Sequence, residues 1–534
     1  MKKPIVLWLF ILLFLPTLSF AQISNWYLRV THDTVWSGDI TLQGNVYIDS
    51  TVTLTVLPGT FVHVDGYYAI YSHGTIKAEG TADNPIIFTC TNTLHHNDTS
   101  TIEGGWHGIR LLPRTANDTS VFKYCKIMNG KAVVPGVWFF LVNNYPDNRG
   151  ANLYAVDFGS LIIKNCFIDN GISRGDGGGI YLENGKYVLI DSSHFTYNHC
   201  YYYIGGGARI IHVDTLKITN NLFNYNIAYY SDEIAAGGGG AAFAISNSLD
   251  TEAQAYVFNN RLFNNTAAAS ILYDAYFNAK VSNNLICSNY GSGIYNAHFF
   301  NAPVYSNNTI AYNSGYMWSG VLSRSPNLTL INNVLWNNLI YPGFIEPQIY
   351  WFQSGTPPTV LYSDVMLGFE GTGNTDADPL FVNPPPEAGA WYNALEYDYS
   401  LRDDSPLINA GVPDTTGWDI PAIDFAGNPR VYGIRIDMGA IENQNVLVSV
   451  SENSVNSSNA FLFPNPGRYY VKIHLPENSN NAVLFLTDVS GRNILSAPVT
   501  NQNKIDVSNL IPGIYFYRLV INGNIVKTGK WVKQ

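Results

Sequence analysis

Short apolar runs closed by a polar residue recur through the middle of the chain: YCKIMNG (124–130), NCFIDNG (165–171), SHFTYNH (193–199), NLFNYNI (221–227), NLICSNY (284–290), NTIAYNS (308–314) and NVLWNN (333–338). Runs this short, rich in β-branched and aromatic residues, predict strands rather than helices. With the closing residue as a phase marker, the series runs Asn129, Asn170, Asn198, Asn226, Thr266 (an imperfect copy), Asn289, Asn313 and Asn338, in steps of 41, 28, 28, 40, 23, 24 and 25. A period in that range marks a stacked repeat. The pattern predicts a parallel β-helix, each coil a few short strands joined by bends. The two long steps leave room for a surface loop or a degenerate coil.

One coil alone cannot bury its apolar side, whereas coils stacked about 4.8 Å apart pair every strand and share one core. Asn suits the bends because its amide bonds the coils above and below and it tolerates a left-handed backbone. A second row, Asn165, Asn221, Asn284, Asn308 and Asn333, lies five positions earlier. Glycine clusters at 177–179, 205–207, 237–240 and 291 with 293 keep the same phase. None is followed by Lys-Ser or Lys-Thr or opens a helical pattern, which favours turns over a phosphate-binding loop.

Past residue 443 the pattern changes. NQNVLVSVSENSVNSSN (443–459) reads as a linker. Strict alternation follows, with Val471, Ile473 and Leu475 inward and Tyr470, Lys472 and His474 outward, and Asn522-Gly523 reads as a hairpin turn. These features predict a small β-sandwich. The fold class expected for the whole is all-β, a parallel β-helix followed by that sandwich.

At the other end, Lys2-Lys3, an apolar run from Ile5 to Leu15 and Ser19-Phe20-Ala21 have the form of a signal peptide cleaved between Ala21 and Gln22. That run is too short to cross a bilayer, which takes about 20 apolar residues, and no later run reaches that length. The expected mature protein has no transmembrane segment and resides outside the cytoplasm. Composition agrees with strands and turns: 14% aromatic, 46 Gly, 36 Tyr, 5 Met and only 13% charged residues. A net charge of −11 without a basic block argues against nucleic acid. Five cysteines leave at least one thiol unpaired within the chain. Cys125 and Cys166 each precede their marker by four residues and so share a ladder, where a disulfide is sterically conceivable. The competing reading is that both stack as small buried apolar groups.

The repeat set resembles the right-handed parallel β-helix proteins of the pectate-lyase-like superfamily. LTVLPGT (54–60), GTIKAEGTADNPIIFT (74–89) and GGWHGIRL (104–111) are similar to their first rungs and capping region. DPLFVNPP (378–385), SLRDDSPLINAG (400–411), DFAGNPR (424–430) and IDMGAIE (436–442) resemble the closing segment of the choice-of-anchor group. In the tail, the PNP opening, Ser490-Gly491-Arg492, Pro512-Gly513-Ile514-Tyr515 and the Lys527, Lys530, Lys533 ending resemble the C-terminal sorting domain (type A) of the type IX secretion system, with Phe463 where that family usually has Tyr. The resemblance implies passage through the periplasm and outer membrane to the cell surface or beyond, with the secretion machinery as partner. The expected domains are a signal peptide (1–21), a β-helix passenger (22–442, with capping rungs about 38–123, coils about 124–363 and a closing segment about 364–442), a linker (443–459) and the sorting domain (460–534).

A β-helix lyase needs an Arg or Lys base beside carboxylates that neutralise a uronate, directly or through calcium. The densest candidates are Arg174 and Asp176, His199, then Arg209, His212 and Asp214 one coil on, then Asp232 and Glu233. Their bland reading is a solvated surface. No spacing among them specifies catalysis, and no metal-ligand set or cofactor motif is present; only a lyase would call for calcium. Three residues past the markers, Tyr201, Tyr229, Tyr316 and Tyr341 recur and predict a ridge whose ring faces suit sugars. Covering an apolar flank beside glycine-rich strands is their alternative role. The leading expectation is an exported protein that binds carbohydrate or another surface, with polysaccharide as its ligand. A polysaccharide lyase or glycoside hydrolase is the alternative, and a structural adhesin a further one.

Overall fold

The computed structural model describes residues 27–114, 118–228, 239–247, 253–275, 277–297, 302–315, 318–325, 327–341, 343–352, 357–418, 420–445, 460–475, 482–489, 491–501, 503–521 and 524–534. Ala21 and Gln22, most of the expected linker, and Asn522-Gly523 lie outside these residues. Two compact units are present, residues 1–445 and 446–534.

In the first unit, 28 strands join one sheet that wraps two faces, and a 12-stranded sheet forms the third, from Asp39–Leu42 to Asp364–Val365. Every pairing from one coil to the next is parallel. Leu153–Lys164, Ile180–Asp191 and Ala208–Thr219, for example, lie in register over their whole length. Each of these long strands bends at a left-handed residue, Asp157, Asn184 or His212, which is how one sheet turns a corner. The interior is a continuous apolar column from Val30 to Val365, with stacked rings such as Phe195 on Phe223 at 4.6 Å.

Two bends flank each strand of the small sheet from Cys125–Met128 to Val334–Trp336, and each pairs a left-handed residue with the residue at the marker or ladder position. One ladder runs Cys125, Cys166, Ser193, Asn221, Asn260, Asn284, Asn308, Asn333 and Ser363, each backbone N–H donating to the next coil's side chain. The other runs Asn198, Asn226, Asn265, Asn289, Asn313 and Asn338 and ends on Gln348. This corrects the sequence phasing in four places. Gly130 and Gly171, not Asn129 and Asn170, hold the marker position; Gly171 donates to ladder Asn198, and Gly130 donates to Asn152. Asn265 replaces Thr266, and Cys166 replaces Asn165. The slip has a simple cause: Asn129, Asn165 and Asn170 occupy the left-handed position just before the ladder residue, with φ of 60°, 53° and 50°. Asparagine suits both positions, so sequence cannot separate neighbours.

The glycine clusters stack as turns. Gly178 and Gly179 donate to the carbonyls of Gly205 and Gly206, and these pair in turn with Gly239 and Gly240. A Cβ on Gly179 would stand 2.4 Å from the Gly207 carbonyl, so backbones approach there too closely for any side chain.

All five cysteines are buried thiols, and Cys125 and Cys166 are not bonded to each other. Their side chains point in the same sense along the stack: Cys125 Sγ donates to the Ala78 carbonyl and Cys166 Sγ to the Phe122 carbonyl, each one coil back. Parallel side chains in a ladder are aimed at the coil below rather than at one another. Burial raises the pKa of Cys125, Cys200 and Cys287 and pushes Cys90 up to about 11. A thiol reagent at pH 8 is therefore expected to label none of the five in the native chain and all five in denaturant. Only three in denaturant would reveal a disulfide.

Residues 366–445 do not continue the stack. They fold back over the outer face of the small sheet, where Leu222, Phe263, Leu285, Cys287, Ala311 and Val334 pack against Phe381, Tyr399, Leu407 and Met438. Left-handed asparagines fasten this cover: Asn264 Nδ2 donates to the Tyr392 carbonyl, Asn283 Nδ2 to that of Ile423 and Asn307 Nδ2 to that of Asp437.

The second unit is two antiparallel sheets, of three and four strands. Val471, Ile473 and Leu475 are buried as the alternation predicts, packed with Leu484, Leu486, Leu519 and Trp531.

Candidate binding face

The long strands of the large sheet alternate, so the residues between inward-facing ones form columns on the outer surface. One column, followed by register, reads Tyr47, Tyr71, Arg110, Tyr154, Tyr181, Arg209, Ala244, Tyr273, Tyr295, Leu322 and Tyr350. It is a ladder mainly of tyrosine and arginine, one residue per coil, interrupted by Ala244 and Leu322. Tyr47 stacks on Tyr71 at 5.1 Å and Tyr154 on Tyr181 at 5.5 Å. The Arg110 guanidinium sits 5.1 Å from the Tyr154 ring and Arg149 sits 5.0 Å from that of Tyr181.

Loops close the middle of this column. The segment 133–150 is drawn down by Arg110, which donates to the Arg149 carbonyl, and by Tyr67, which donates to the Val133 carbonyl. Beneath it, His107 stacks on Tyr67 and lies 3.4 Å from the Tyr71 hydroxyl. Burial, reinforced by Arg110, holds the His107 pKa well below its ordinary value, so the ring is neutral. Next to it, Tyr181 donates to Glu183 at 2.8 Å and receives Arg149 at 3.1 Å.

Of the expected catalytic groups, Arg174, Asp176 and Arg209 are buried in and around this closed stretch, whereas His212 and Asp214 are exposed. Arg174 donates to the carbonyls of Val134 and Val137 and lies 5.5 Å from the Tyr202 ring. Asp176 accepts from Ile204 N at 3.0 Å. Arg209 is 8% exposed, next to Tyr181 in the column, with no hydrogen-bond partner for Nε or Nη1 among the described residues. Burial pushes His199 down to about 4. Arg209 and Asp214 do not share a face, because Arg209 lies before the bend at His212 and Asp214 beyond it. Asp232 and Glu233 lie outside the described residues. Among the described residues, no group of three or more His, Cys, Asp or Glu is placed to hold a metal ion.

The expected tyrosine ridge is also modified. Tyr201 spends its hydroxyl on the Asn97 carbonyl and its ring on His199, at 3.9 Å. Tyr341 is 48% exposed, edge-on to Tyr290. Tyr229 and Tyr316 lie outside the described residues. Two stretches of the column stand open among the described residues, the N-terminal end at Tyr47, beside exposed Tyr27, and the C-terminal stretch, which carries the larger set of rings. Half-exposed Tyr273, Tyr295 and Tyr350 are joined there by Trp318, stacked on Tyr350 at 4.2 Å, and by Phe352. Exposed Arg324 lies 4.5 Å from the Phe352 ring and 5.7 Å from that of Tyr295. A fixed offset from the Asn marker misses this platform, because turns of different length separate marker and strand: Tyr295 follows Asn289 by six residues and Tyr350 follows Asn338 by twelve. Reading alternation outward from each strand would have found it.

Residues 29–123 match a pectate-lyase-like β-helix domain, residues 100–286 a right-handed β-helix region, and residues 461–534 a secretion system C-terminal sorting domain. The chain is a right-handed parallel β-helix protein with a C-terminal sorting domain. No curated protein matches it. The sorting domain directs the β-helix to the type IX secretion route, and so to the cell surface or the extracellular space. No helix among the described residues is long and apolar enough to cross a membrane.

Proposed function

We propose that this exported β-helix binds polysaccharide along the open C-terminal stretch of its aromatic column, without transforming it. The observation that carries the reading is the half-exposed row Tyr273, Tyr295, Trp318, Tyr350 and Phe352 with Arg324 among the rings. Aromatic faces take the apolar faces of sugar rings, while tyrosine hydroxyls and a guanidinium satisfy sugar hydroxyls or carboxylates. The coil repeat of about 4.8 Å places Tyr273 and Tyr295 roughly one sugar unit apart, with Tyr350 two coils beyond Tyr295. A lyase or hydrolase is the less favoured reading, because Arg174 and His107, two groups suited to acid–base work, lie under loops and are spent on backbone carbonyls or a neighbouring ring.

The test is retention of the full chain on acidic and neutral polysaccharides, with and without calcium. Trp318→Ala and Tyr295→Ala are each expected to weaken binding by about tenfold, and Tyr201→Ala to leave it unchanged. Unaltered binding by Trp318→Ala and Tyr295→Ala across the panel would sink the proposal. Formation of an ultraviolet-absorbing unsaturated sugar, or of new reducing ends, would replace it with the lyase or the hydrolase reading.

A further inference from the structure

The four-stranded sheet of the C-terminal unit comprises Ala482–Thr487, Asn493–Val499, Gly513–Ile521 and Asn524–Lys533. One face builds the core, through Leu484, Leu486, Tyr515, Tyr517, Leu519 and Trp531. The alternate residues form the other face, which is apolar at its centre. Phe485 lies opposite Arg518, Phe516 opposite Lys530, and Ile514 opposite Val532. Phe516 is 48% and Ile514 42% exposed. Arg518 lies 4.9 Å from the Phe485 ring.

An antiparallel sheet with one solvated face normally reads polar on that face. Large aromatic and aliphatic groups held there instead mark a contact surface. Its charge is one-sided: Arg518 and Lys530 belong to the face, and none of its described residues is a carboxylate. Residues 461–534 carry eight Lys or Arg against three Asp or Glu, inside a chain whose net charge is −11. The passenger's charge therefore cannot explain a basic tail.

We propose that this face is the grip by which the secretion apparatus holds the sorting domain, and that the partner is a protein presenting an apolar patch rimmed by carboxylates. The inference rests on the sorting reading of residues 461–534. Burial of Phe485, Phe516 and Ile514 supplies the attraction, and Arg518 and Lys530 set orientation and exclude partners of the wrong charge. An anionic lipid surface offers charge but no shaped apolar patch.

The experiment follows the full chain in a host that exports it, measuring the fraction reaching the surface or medium. Phe485→Ser with Phe516→Ser, and Arg518→Glu with Lys530→Glu, are expected to lower that fraction by about tenfold, the loss of roughly one hot-spot contact. Arg518→Lys with Lys530→Arg is expected to retain export, as is Lys472→Glu on the three-stranded sheet. Protease resistance of each purified variant separates lost recognition from lost folding. Normal export of both face variants, while deletion of 461–534 abolishes export, overturns the grip and leaves the sorting reading intact. Export that survives the deletion overturns the sorting reading itself. Loss of binding to anionic vesicles with export unchanged also overturns the proposal, in favour of a membrane contact.

Discussion

Replacing Asn284 by alanine is expected to destabilise the β-helix by roughly 3–5 kcal/mol, because two buried donors of the neighbouring coil lose their acceptor at about 1–3 kcal/mol each. Both Asn260 N and Asn260 Nδ2 donate to Asn284 Oδ1, each at 2.9 Å. Asn284 Nδ2 also satisfies the Val257 carbonyl at 2.9 Å and Asn308 Oδ1 at 2.9 Å. The amide therefore closes bonds on the coils to either side, and none of the groups it leaves has access to water. Asn284→Asp fares no better, since a buried carboxylate would face the Val257 carbonyl and Asn308 Oδ1 with no hydrogen to give. Asn259→Ala is the contrasting change. Its side chain makes one weak bond, to Asn220 at 3.3 Å, and its φ is 57°. Loss of the left-handed preference there costs about 1–2 kcal/mol. Urea unfolding with hydrogen exchange across residues 254–311 measures both. Equal costs for the two variants would mean that the ladder contributes no more than the bend.

The same pair shows what a sequence yields and what it withholds. Apolar runs closed by asparagine announce the coils, since only stacking satisfies such a pattern, and twelve strands of the small sheet follow from Asp39 to Val365. The assignment of Asn129 and Asn170 to the ladder slipped by one residue because asparagine serves both the left-handed bend and the ladder. The cover formed by residues 366–445 left a trace as well. LIC (285–287) and VLW (334–336) are apolar at outward as well as inward positions, whereas HFT (194–196) alternates. A strand apolar on both faces needs something on each. In the tail, strict alternation made Val471 and Ile473 inward without ambiguity.

The binding face was harder to read for two physical reasons. Its column is set by pairing between strands, and turns of unequal length hide that pairing from any fixed offset. The candidate charges were visible as residues but their exposure was not. Arg174, Asp176 and Arg209 look like a solvated cluster until loops from other coils, 133–150 and 201–207, are laid over them.

Arg430→Met is expected to cost about 3–5 kcal/mol at neutral pH, because it leaves buried carboxylates without their cation. Arg430, Asp424, Asp437 and Glu442 are all at least 98% buried within the cover of the small sheet. Arg430 donates to the carbonyls of Asp437 and Gly439 and lies 3.7 Å from Glu442. Even with that partner, burial pushes Glu442 up to about 7 and raises Asp437 as well. A carboxyl whose folded pKa exceeds its unfolded value binds protons more readily in the folded state. Its contribution is fully present below the unfolded value of 4.5 and is lost as pH rises towards 7. In the native chain the cover is therefore expected to be held most tightly near pH 4.5 and to lose about 2–3 kcal/mol by pH 7.5. Removing the guanidinium pushes both carboxyls further up, so the deficit of Arg430→Met should shrink on acidification, when the acids are neutral and need no partner. Hydrogen exchange over residues 424–442 at pH 4.5 and 7.5, corrected for the intrinsic rate, reads this directly. A deficit of equal size at both pH values would assign Arg430 to packing alone; a deficit confined to neutral pH makes it the counter-ion that fastens the closing segment onto the coils.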